Sequence, residues 1–213
     1  MGVKIVARPS KKAGSIARVP EAFKHIAHYL RSRADKRIKE GVPPPNSPLT
    51  ARVKRGNLTL RDSGALMRSL ATHAGDLWAD TSTKLKYARI QQEGGTIRSK
   101  GKGLWIPAGP ETRRLMKRYG TQKPGALIAA MKADDYDFFS RKKVFCAYKK
   151  GKTLKNGRKG PDGKPFALFV IRSSVTIPAR PFLHIDRADE LYILNYLGIA
   201  IRDALEKGKG KKS

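Results

Sequence analysis

The sequence is poor in cysteine and contains no long apolar run. Its 213 residues include a single cysteine, Cys146, which excludes an internal disulfide and a metal site built from several thiolates. The first residues lack the apolar stretch of a secretory signal, and no segment reaches the ~20 apolar residues that a membrane helix needs. We therefore expect a protein that is made in the cytoplasm and has no membrane partner.

Acidic residues are scarce as well. Asp and Glu number 17 against 46 Lys and Arg, which leaves a formal net charge of +29. A charge of this size attracts polyanions, so it indicates nucleic acid, an anionic membrane face or an acidic protein surface as the partner. No helix-turn-helix, zinc-finger or aromatic RNA-binding motif accompanies the charge, so we expect any nucleic acid to be contacted through its phosphate backbone. A sequence-independent nucleic-acid-binding protein is therefore one interpretation of the sequence.

Motifs for catalysis or for a cofactor are also missing. The one acidic cluster is Asp134, Asp135 and Asp137, and neither helical nor strand spacing brings all three carboxylates onto one metal ion. His25 and His28 lie three residues apart in a predicted helix, without a further His or Cys nearby in the sequence. We therefore predict that the protein is not an enzyme and binds no cofactor or metal. A metal-dependent activity of Asp135 and Asp137 is the alternative.

The pattern of apolar residues predicts an α+β fold in which an antiparallel sheet is flanked by an N-terminal and a C-terminal helix. Pro20 opens the first helix, apolar residues recur along it at helical spacing, and Gly41 ends it. The last helix starts at Asp186, whose side chain is suited to cap it, and ends near Lys207. Two basic helices are predicted over residues 111–119 and 125–133, and three strands over residues 72–79, 143–148 and 166–177.

Length and composition predict a single domain over residues 1–213 with polar additions. We interpret residues 1–19 as a basic arm and residues 208–213 as a disordered basic tail. Residues 96–142 are expected to form a basic insertion that adds little to the core. Residues 149–164 are rich in lysine and glycine, which predicts a long, mobile hairpin tip.

The segment Val175–Leu183 is expected to leave the sheet in an extended form. Pro178 and Pro181 each fix φ and remove a backbone donor, so the segment cannot lie inside a sheet. A stiff connector is one interpretation, and a docking segment for a neighbouring protein is the other. The last helix has more apolar residues than one covered face needs, which favours contact with another subunit. A sheet on one side and the first helix on the other would also cover the surplus. The predicted interface residues are Arg180, Phe182, Leu183, Tyr192, Leu194, Leu197 and Ile201.

Two basic, glycine-rich stretches are the candidates for contact with nucleic acid. One precedes the Leu104–Pro107 segment, and the other lies in the predicted hairpin tip. Their side chains would approach phosphate groups without reading bases. The residues concerned are Arg98, Lys100, Lys102, Lys152, Lys155, Arg158 and Lys159.

Four short stretches, taken in order, resemble the phage virion morphogenesis family, the tail-completion or neck proteins of Mu-like and related tailed phages. They are S-P-L-T-A-R-V-K-R-G-N at 47–57, L-R-D-S-G-A-L-M-R-S-L at 60–70, K-Y-A-R-I-Q-Q-E-G-G at 86–95 and I-P-A-R-P-F-L at 177–183. The residues that match motifs of the family are Asp62, Gly64, Leu66, Ser69, Tyr87, Ala88, Gly94, Gly95, Pro178, Arg180, Pro181 and Phe182. Gln91 stands where the family usually has histidine, and Glu93 replaces a usual aromatic residue.

The resemblance implies a small α+β subunit without enzymatic activity. It implies a virion protein that completes the tail or joins it to the head, and that forms a ring, expected to have six copies, through which DNA passes. The implied partners are further copies of the chain, the head-connector proteins, and the tail-tube or tail-terminator proteins, with possible backbone contacts to DNA. On this view the protein is made in the host cytoplasm and ends at the neck or tail top of the virion.

Overall fold

The structure is a computed structural model that describes residues 3–7, 19–54, 56–101, 103–153, 157 and 159–209. It contains helices and antiparallel strands, so the α+β class predicted from the sequence is confirmed. The described helices are α1 (Pro20–Glu40), α2 (Pro48–Val53), α3 (Ala65–Arg68), α4 (Ala88–Glu93), α5 (Pro110–Arg118), α6 (Pro124–Ala133) and α7 (Arg187–Lys209). The described strands are β1 (Val3–Ala7), β2 (Ala71–Gly75), β3 (Trp78–Thr83), β4 (Gly95–Arg98), β5 (Leu104–Pro107), β6 (Tyr136–Arg141), β7 (Val144–Thr153), β8 (Lys159–Arg172) and β9 (Ser174–Ile177).

The chain divides into two compact units, where composition alone predicted one domain with an insertion. Unit 1 consists of residues 1–45, 58–95 and 178–213. Unit 2 consists of residues 46–57 and 96–177, so it contains the predicted insertion and both long strands of the predicted hairpin. Unit 2 therefore interrupts the sequence of unit 1 twice.

Helix α1 is the central element of unit 1. Pro20 occupies its first turn, where a missing backbone donor costs nothing, and Gly41 ends it at φ 86°, a conformation that glycine adopts without strain. The apolar face predicted from the sequence is buried, and it packs against Ala79 of β3 and Ile193 of α7. The Thr81 hydroxyl of β3 donates a hydrogen bond of 3.1 Å to the Ala27 carbonyl oxygen, which fixes the helix on the sheet.

The sheet of unit 1 has three antiparallel strands in the order β1-β3-β2. The prediction of one strand over residues 72–79 was wrong, because a turn at Asp76 and Leu77 splits this stretch into the hairpin β2–β3. Strand β1 lies inside the predicted basic arm, where it pairs from Val3 opposite Thr83 to Ala7 opposite Ala79. That part of the arm is therefore a strand of the sheet, and residues 8–18 lie outside the described residues.

A second apolar cluster of unit 1 collects residues from distant parts of the sequence. The end of α1, the short helices α3 and α4, and the segment before α7 all contribute to it. Its buried members are Ala34, Ile38, Val42, Leu66, Leu70, Ala88, Phe182 and Leu183. Beside it, the buried Thr59 hydroxyl donates a 2.7 Å hydrogen bond to the carbonyl oxygen of Val42, a member of the cluster.

Unit 2 is built on a four-stranded antiparallel sheet in the order β5-β8-β7-β6. Helices α5 and α6 each begin at a proline, one residue before the start predicted from the sequence. Both pack on one face of this sheet. Their Leu115, Leu127 and Met131 are buried together with Leu168 and Phe169 of β8. The expectation that residues 96–142 add little core was therefore wrong, because their apolar residues close over the face of the long hairpin.

The hairpin β7–β8 is longer than predicted. Residues 149–153 and 159–164, assigned to a mobile tip, continue the two strands, with Lys149 opposite Asp162 and Thr153 opposite Lys159. These polar residues lack the apolar alternation that identifies a strand in a sequence. Residues 154–156 and 158 of the predicted tip lie outside the described residues.

Strands β4 and β9 form a separate two-stranded sheet, in which the Thr96 and Thr176 hydroxyl groups are hydrogen-bonded at 3.1 Å. Helix α7 continues to Lys209, two residues into the predicted tail, and residues 210–213 lie outside the described residues. Within the described ranges, no helix has the length and hydrophobicity needed to cross a membrane.

Candidate assembly interface

Arg180 is buried inside unit 1 and binds the proline-rich loop that follows α1. Its side chain donates hydrogen bonds to the carbonyl oxygens of Pro44 and Pro45, at 2.8 and 2.9 Å, and its backbone N–H donates one of 2.7 Å to Gln91. Only 6% of the residue is exposed, and burial lowers the pKa of its guanidinium group. A planar group with several N–H donors suits this position, because it satisfies two carbonyl oxygens that proline residues leave without helix or sheet partners.

The two residues that follow Pro181 are held by a single side chain of α4. The Gln92 amide oxygen accepts hydrogen bonds of 3.0 Å from the backbone N–H groups of Phe182 and Leu183. The Gln92 amide nitrogen donates one of 2.7 Å to the Leu183 carbonyl oxygen. Phe182 is fully buried and Leu183 is 6% exposed, both in the second apolar cluster. Phe182 and Leu183, like Arg180, therefore point into the subunit.

This placement changes the interpretation of the predicted interface. The sequence offered two readings of Val175–Leu183, and the structure assigns Arg180, Phe182 and Leu183 to the connector within unit 1. The prolines leave carbonyl oxygens that Arg180 can reach only once α4 and the proline-rich loop are in place. In the sequence Arg180 lies 136 residues after Pro44 and 135 residues after Pro45, so the sequence pattern does not reveal this contact.

A network of ion pairs joins α1 to the start of α7. Asp189 is fully buried, and its carboxylate accepts hydrogen bonds from the Tyr29 hydroxyl at 2.9 Å, from Arg33, and from Arg37 at 2.6 Å. Asp186 accepts further bonds of 2.9 Å from both arginines. The backbone N–H groups of Asp186 and Asp189 also bond each other's carboxylates, so the pair caps the helix reciprocally, as a capping box does.

The pKa values in this network follow from its contacts. The hydrogen bond from the Asp189 backbone and those from Arg37 and Arg33 lower the pKa of Asp186 well below its usual range. Burial alone would raise the pKa of Asp189, but hydrogen bonds from Arg37, the Asp186 backbone, Tyr29 and Arg33 outweigh it, and the pKa is lowered. Burial and the bond to Asp189 raise the pKa of Tyr29. Both carboxylates are therefore charged at neutral pH.

Reasoning from the sequence missed the two arginines of this network. Arg33 lies seven residues after Ile26, and Arg37 lies seven residues after Leu30, so both fall on the apolar face of α1. Cations on a buried helix face need acidic partners, and the acidic residues at the start of α7 supply them. The seven-residue spacing could have identified the two buried arginines from the sequence. Their acidic partners could not be identified, because they depend on the tertiary fold.

Helix α7 has one covered face and one open face. Ile193, Leu197 and Ile201 pack against the cluster of α1, so the predicted interface residues Leu197 and Ile201 lie on the covered side. Outside this covered face, Leu191, Leu194 and Leu205 are 50%, 66% and 55% exposed. Their spacing of 3 and 11 residues places them along one line of the helix surface. We refer to these three leucines as the outer stripe of α7.

Two further apolar residues of α7 are exposed. Ile199, 59% exposed, and Tyr192, 38% exposed, are seven residues apart, so they lie together on the side of the helix away from the outer stripe. The Tyr192 ring stacks on that of Tyr29, and its hydroxyl is 2.9 Å from the His25 ring nitrogen Nε2. Of the predicted interface residues, Leu194 and Tyr192 are therefore the two that the fold leaves accessible.

The predicted nucleic-acid-facing residues are only partly described. Arg98 in β4 and Lys100 in the following turn are exposed. Lys152 and Lys159 belong to strands β7 and β8. The remaining residues of this prediction, which lie outside the described residues, are Lys102, Lys155 and Arg158.

The acidic cluster does not converge on one point. Asp134 accepts a hydrogen bond of 2.5 Å from the Tyr119 hydroxyl, and burial together with this bond raises the pKa of Tyr119 to about 12. Asp137 accepts one of 3.2 Å from the Tyr148 hydroxyl, and Asp135 lies between them at a positive φ of 59°. Within the described ranges, no group of three or more His, Cys, Asp and Glu residues could hold a metal ion.

The sequence profile of the phage virion morphogenesis family matches residues 9–120, which is more than half of the chain. The chain belongs to this family. Comparisons with curated proteins and with solved structures gave no match. Membership assigns the chain to the assembly of a phage virion, and the match covers three of the four stretches on which the resemblance was based.

In this phage virion morphogenesis protein, three of those four stretches meet in space. Leu66 and Leu70 from the second stretch, Ala88 from the third and Phe182 from the last lie in one buried cluster. The last stretch lies beyond the matched residues, yet it is bound by Gln92 of the third. These three motifs therefore describe one packing arrangement in unit 1.

Proposed function

We propose that this member of the phage virion morphogenesis family is a structural, non-enzymatic subunit that completes the tail or joins it to the head. It acts as a ring of six copies at the neck or tail top, with DNA passing through the ring. The observation that supports self-association is the outer stripe of α7, a line of leucines on a helix whose other face is already covered. Family membership supports the place in the virion.

The outer stripe has the properties of a subunit contact. Three leucines, each at least half exposed, are costly to leave in water, and covering them would contribute about 1–2 kcal/mol each. A stripe on a long, well-anchored helix also needs little ordering before it binds, because the ion pairs of Asp186 and Asp189 already fix the start of α7. We propose Leu194 as the centre of the contact, with Leu191 and Leu205 beside it.

The net charge supports acidic proteins as the main neighbours of the ring. Six copies at +29 each carry about +174, whereas a channel about 40 Å long holds only about 24 phosphates at one per ~1.7 Å. DNA in the channel therefore balances a small part of the charge. We propose that most lysine and arginine side chains face acidic surfaces of the connector, the tail tube or the tail terminator.

Light scattering on a size-exclusion column tests the self-association. We expect a discrete species near six times 23.6 kDa at 0.15 M and at 0.5 M salt, because an apolar contact is not weakened by screening. The double variant Leu194→Glu, Leu205→Glu should run as a monomer. The variant Leu77→Glu is the matched control, because Leu77 is a 40% exposed leucine of the β2–β3 turn and not part of α7.

Two results would contradict the proposal. A chain that stays monomeric at micromolar concentration and also binds no head or tail assembly intermediate is not a ring subunit. An oligomer that survives the double variant but is lost in Leu77→Glu would place the contact elsewhere. Circular dichroism of each variant separates lost assembly from lost folding.

A further inference from the structure

The sheet of unit 2 has one covered and one open face. Phe138 and Phe145 belong to the face under α5 and α6, where their rings stack at 5.5 Å. Side chains alternate along a strand, so the neighbouring Phe139 and the cross-strand Cys146 point to the opposite face. Within the described part of unit 2, both helices that pack on the sheet lie on the first face. The second face is therefore open in this unit.

The open face carries two aromatic rings side by side. Phe139 is 39% exposed, and its ring lies 6.2 Å from that of the half-buried Tyr148, tilted by 46°. The Tyr148 hydroxyl donates a hydrogen bond of 3.2 Å to Asp137, which restrains the ring. Half-buried Val144 continues the same face toward the turn. The result is a flat, partly apolar surface that presents ring faces and edges.

Cations border this surface at the β6–β7 turn. Arg141, Lys142 and Lys143 are exposed there, and Arg172 at the end of β8 is exposed near them. Backbone pairing places Arg141 opposite Val144, on the same face as Phe139. None of the four forms an ion pair with a described residue, so their charges are available to an anionic ligand.

The charge of the chain is concentrated in unit 2. Residues 46–57 and 96–177 hold 23 Lys and Arg against 5 Asp and Glu, which gives this unit a formal net charge of +18 out of +29. Three of the five acids are already bound: Glu111 to Arg114, Asp134 to Tyr119 and Arg118, and Asp137 to Tyr148. The field around the open sheet face is therefore strongly positive.

We infer that the open face of the β5-β8-β7-β6 sheet is a binding surface for single-stranded nucleic acid, with bases stacking on Phe139 and Tyr148 and phosphates meeting the cations of the β6–β7 turn. This surface is distinct from the outer stripe of α7, and the inference does not depend on ring formation. It differs from backbone-only binding, which the sequence alone indicated.

Single strands fit this surface better than the other polyanions do. In a duplex the base faces are stacked on one another, so a duplex could use the cations but not the rings. Acidic side chains of a protein would also meet the cations, but carboxylates do not stack on Phe139 and Tyr148 and so would leave the rings unused. Aromatic residues on an open sheet face together with flanking cations form a surface on which any base can stack, so sequence specificity is not expected.

Fluorescence anisotropy of the full chain tests the inference. The probes are a labelled 20-nucleotide oligo(dT), a labelled 20-base-pair duplex and labelled poly-L-glutamate, each at 0.15 M salt. We expect oligo(dT) to bind most tightly. Phe139→Ala should weaken oligo(dT) binding about 5- to 50-fold, as loss of a stacked base does, and leave duplex binding within about twofold. Phe139→Trp should retain the affinity.

Two control variants separate stacking from charge. Tyr87→Ala removes an aromatic ring that is 45% exposed in unit 1, and it should not change oligo(dT) binding. The double variant Lys142→Glu, Lys143→Glu should weaken all three probes, because it acts through charge. Circular dichroism melting curves check that each variant is folded.

Several outcomes would overturn the inference. Equal affinities for oligo(dT) and duplex, or an unchanged oligo(dT) affinity in Phe139→Ala, would mean that only charge is involved. Poly-L-glutamate binding that is as tight as oligo(dT) binding and is weakened by Phe139→Ala would assign the surface to an acidic protein instead. Absence of oligo(dT) binding at micromolar protein would also reject it.

Discussion

At the scale of single residues, unit 1 depends on side chains that satisfy backbone groups across long sequence separations. Arg180 binds two carbonyl oxygens of the proline-rich loop, and Gln92 binds three backbone groups of Phe182 and Leu183. A buried backbone group without a partner costs about 1–3 kcal/mol. The sequence predicted an extended, rigid segment here, because proline geometry is local. It could not predict the partners, because they lie about 90 and 135 residues away.

Replacing Gln92 and its neighbour Gln91 should separate a side chain that pairs buried backbone groups from one that does not. Gln92→Ala leaves three buried backbone groups unpaired, so we expect it to lower the free energy of unfolding by about 2–4 kcal/mol. Gln91→His restores the residue usual in the family and should change the free energy of unfolding by less than about 0.5 kcal/mol. The reason is that the hydrogen bond from Arg180 uses the Gln91 backbone carbonyl, not its side chain.

Urea denaturation measures both changes. Arg89→Ala is a suitable surface control, because its ion pair with Glu93 is exposed at one side of the same short helix. Equal losses in Gln92→Ala and Arg89→Ala would show that the contacts of Gln92 contribute no more than an exposed pair does.

At the scale of elements, periodicity in the sequence predicted helices well and polar strands poorly. Helices α1 and α7 were located to within about two residues, because proline, glycine and acidic caps mark their ends. The hairpin arms around residues 149–164 were missed, since Lys149 pairs with Asp162 in a stretch that has no apolar alternation. The apolar surplus of α7 was recognised from the sequence. Which leucines remain exposed was not, because that depends on where α1 packs.

The contact between α1 and α7 should make stability depend on pH. The pKa values of Asp186 and Asp189 are lowered in the folded protein, whereas an unfolded aspartate has a pKa of about 3.9. A folded pKa below the unfolded one stabilises fully above about pH 4, and this contribution is lost as the pH falls from there through the folded values. We therefore expect the wild-type free energy of unfolding to fall between pH 5 and pH 3 partly through this pair.

The variant Asp189→Asn tests this dependence. It leaves Arg33 and Arg37 with an incomplete set of partners, so we expect a loss of about 3–5 kcal/mol at pH 7 and a flatter pH profile below pH 5. Asp203→Asn, an exposed position on the same helix, should keep the wild-type profile. Urea midpoints from pH 3 to pH 7 give the comparison. Parallel profiles for wild type and Asp189→Asn would exclude the pair as a source of acid sensitivity.

At the scale of the whole molecule, the excess of positive charge opposes folding. A net charge of +29 repels itself in the compact state, and isolated surface ion pairs recover little of this cost. Salt shortens the range of the repulsion, from about 10 Å at 0.1 M to about 3 Å at 1 M. We expect the free energy of unfolding to rise by about 1 kcal/mol between these concentrations of NaCl.

A variant with fewer charges provides the control for this salt effect. Lys117→Gln, Lys123→Gln and Lys132→Gln together remove three exposed cations of α5, α6 and the loop between them. Their rise in stability with salt should be smaller than that of the wild type. If the free energy of unfolding instead falls as salt is added, attractive ion pairs outweigh the repulsion, and the net charge does not destabilise the free subunit.

Because unit 2 interrupts unit 1 in the sequence, unit 1 cannot be completed until residues 178–213 have been synthesised. A ribosome releases residues 1–95 and all of unit 2 before it adds residues 178–213. Until then α1 lacks Ile193 and Asp189, and the second cluster lacks Phe182. A prematurely terminated chain would therefore expose the apolar and cationic faces of α1 and also lack α7. Only a chain that includes α7 could present the surface proposed for assembly. The fold itself would therefore keep truncated chains out of the assembly.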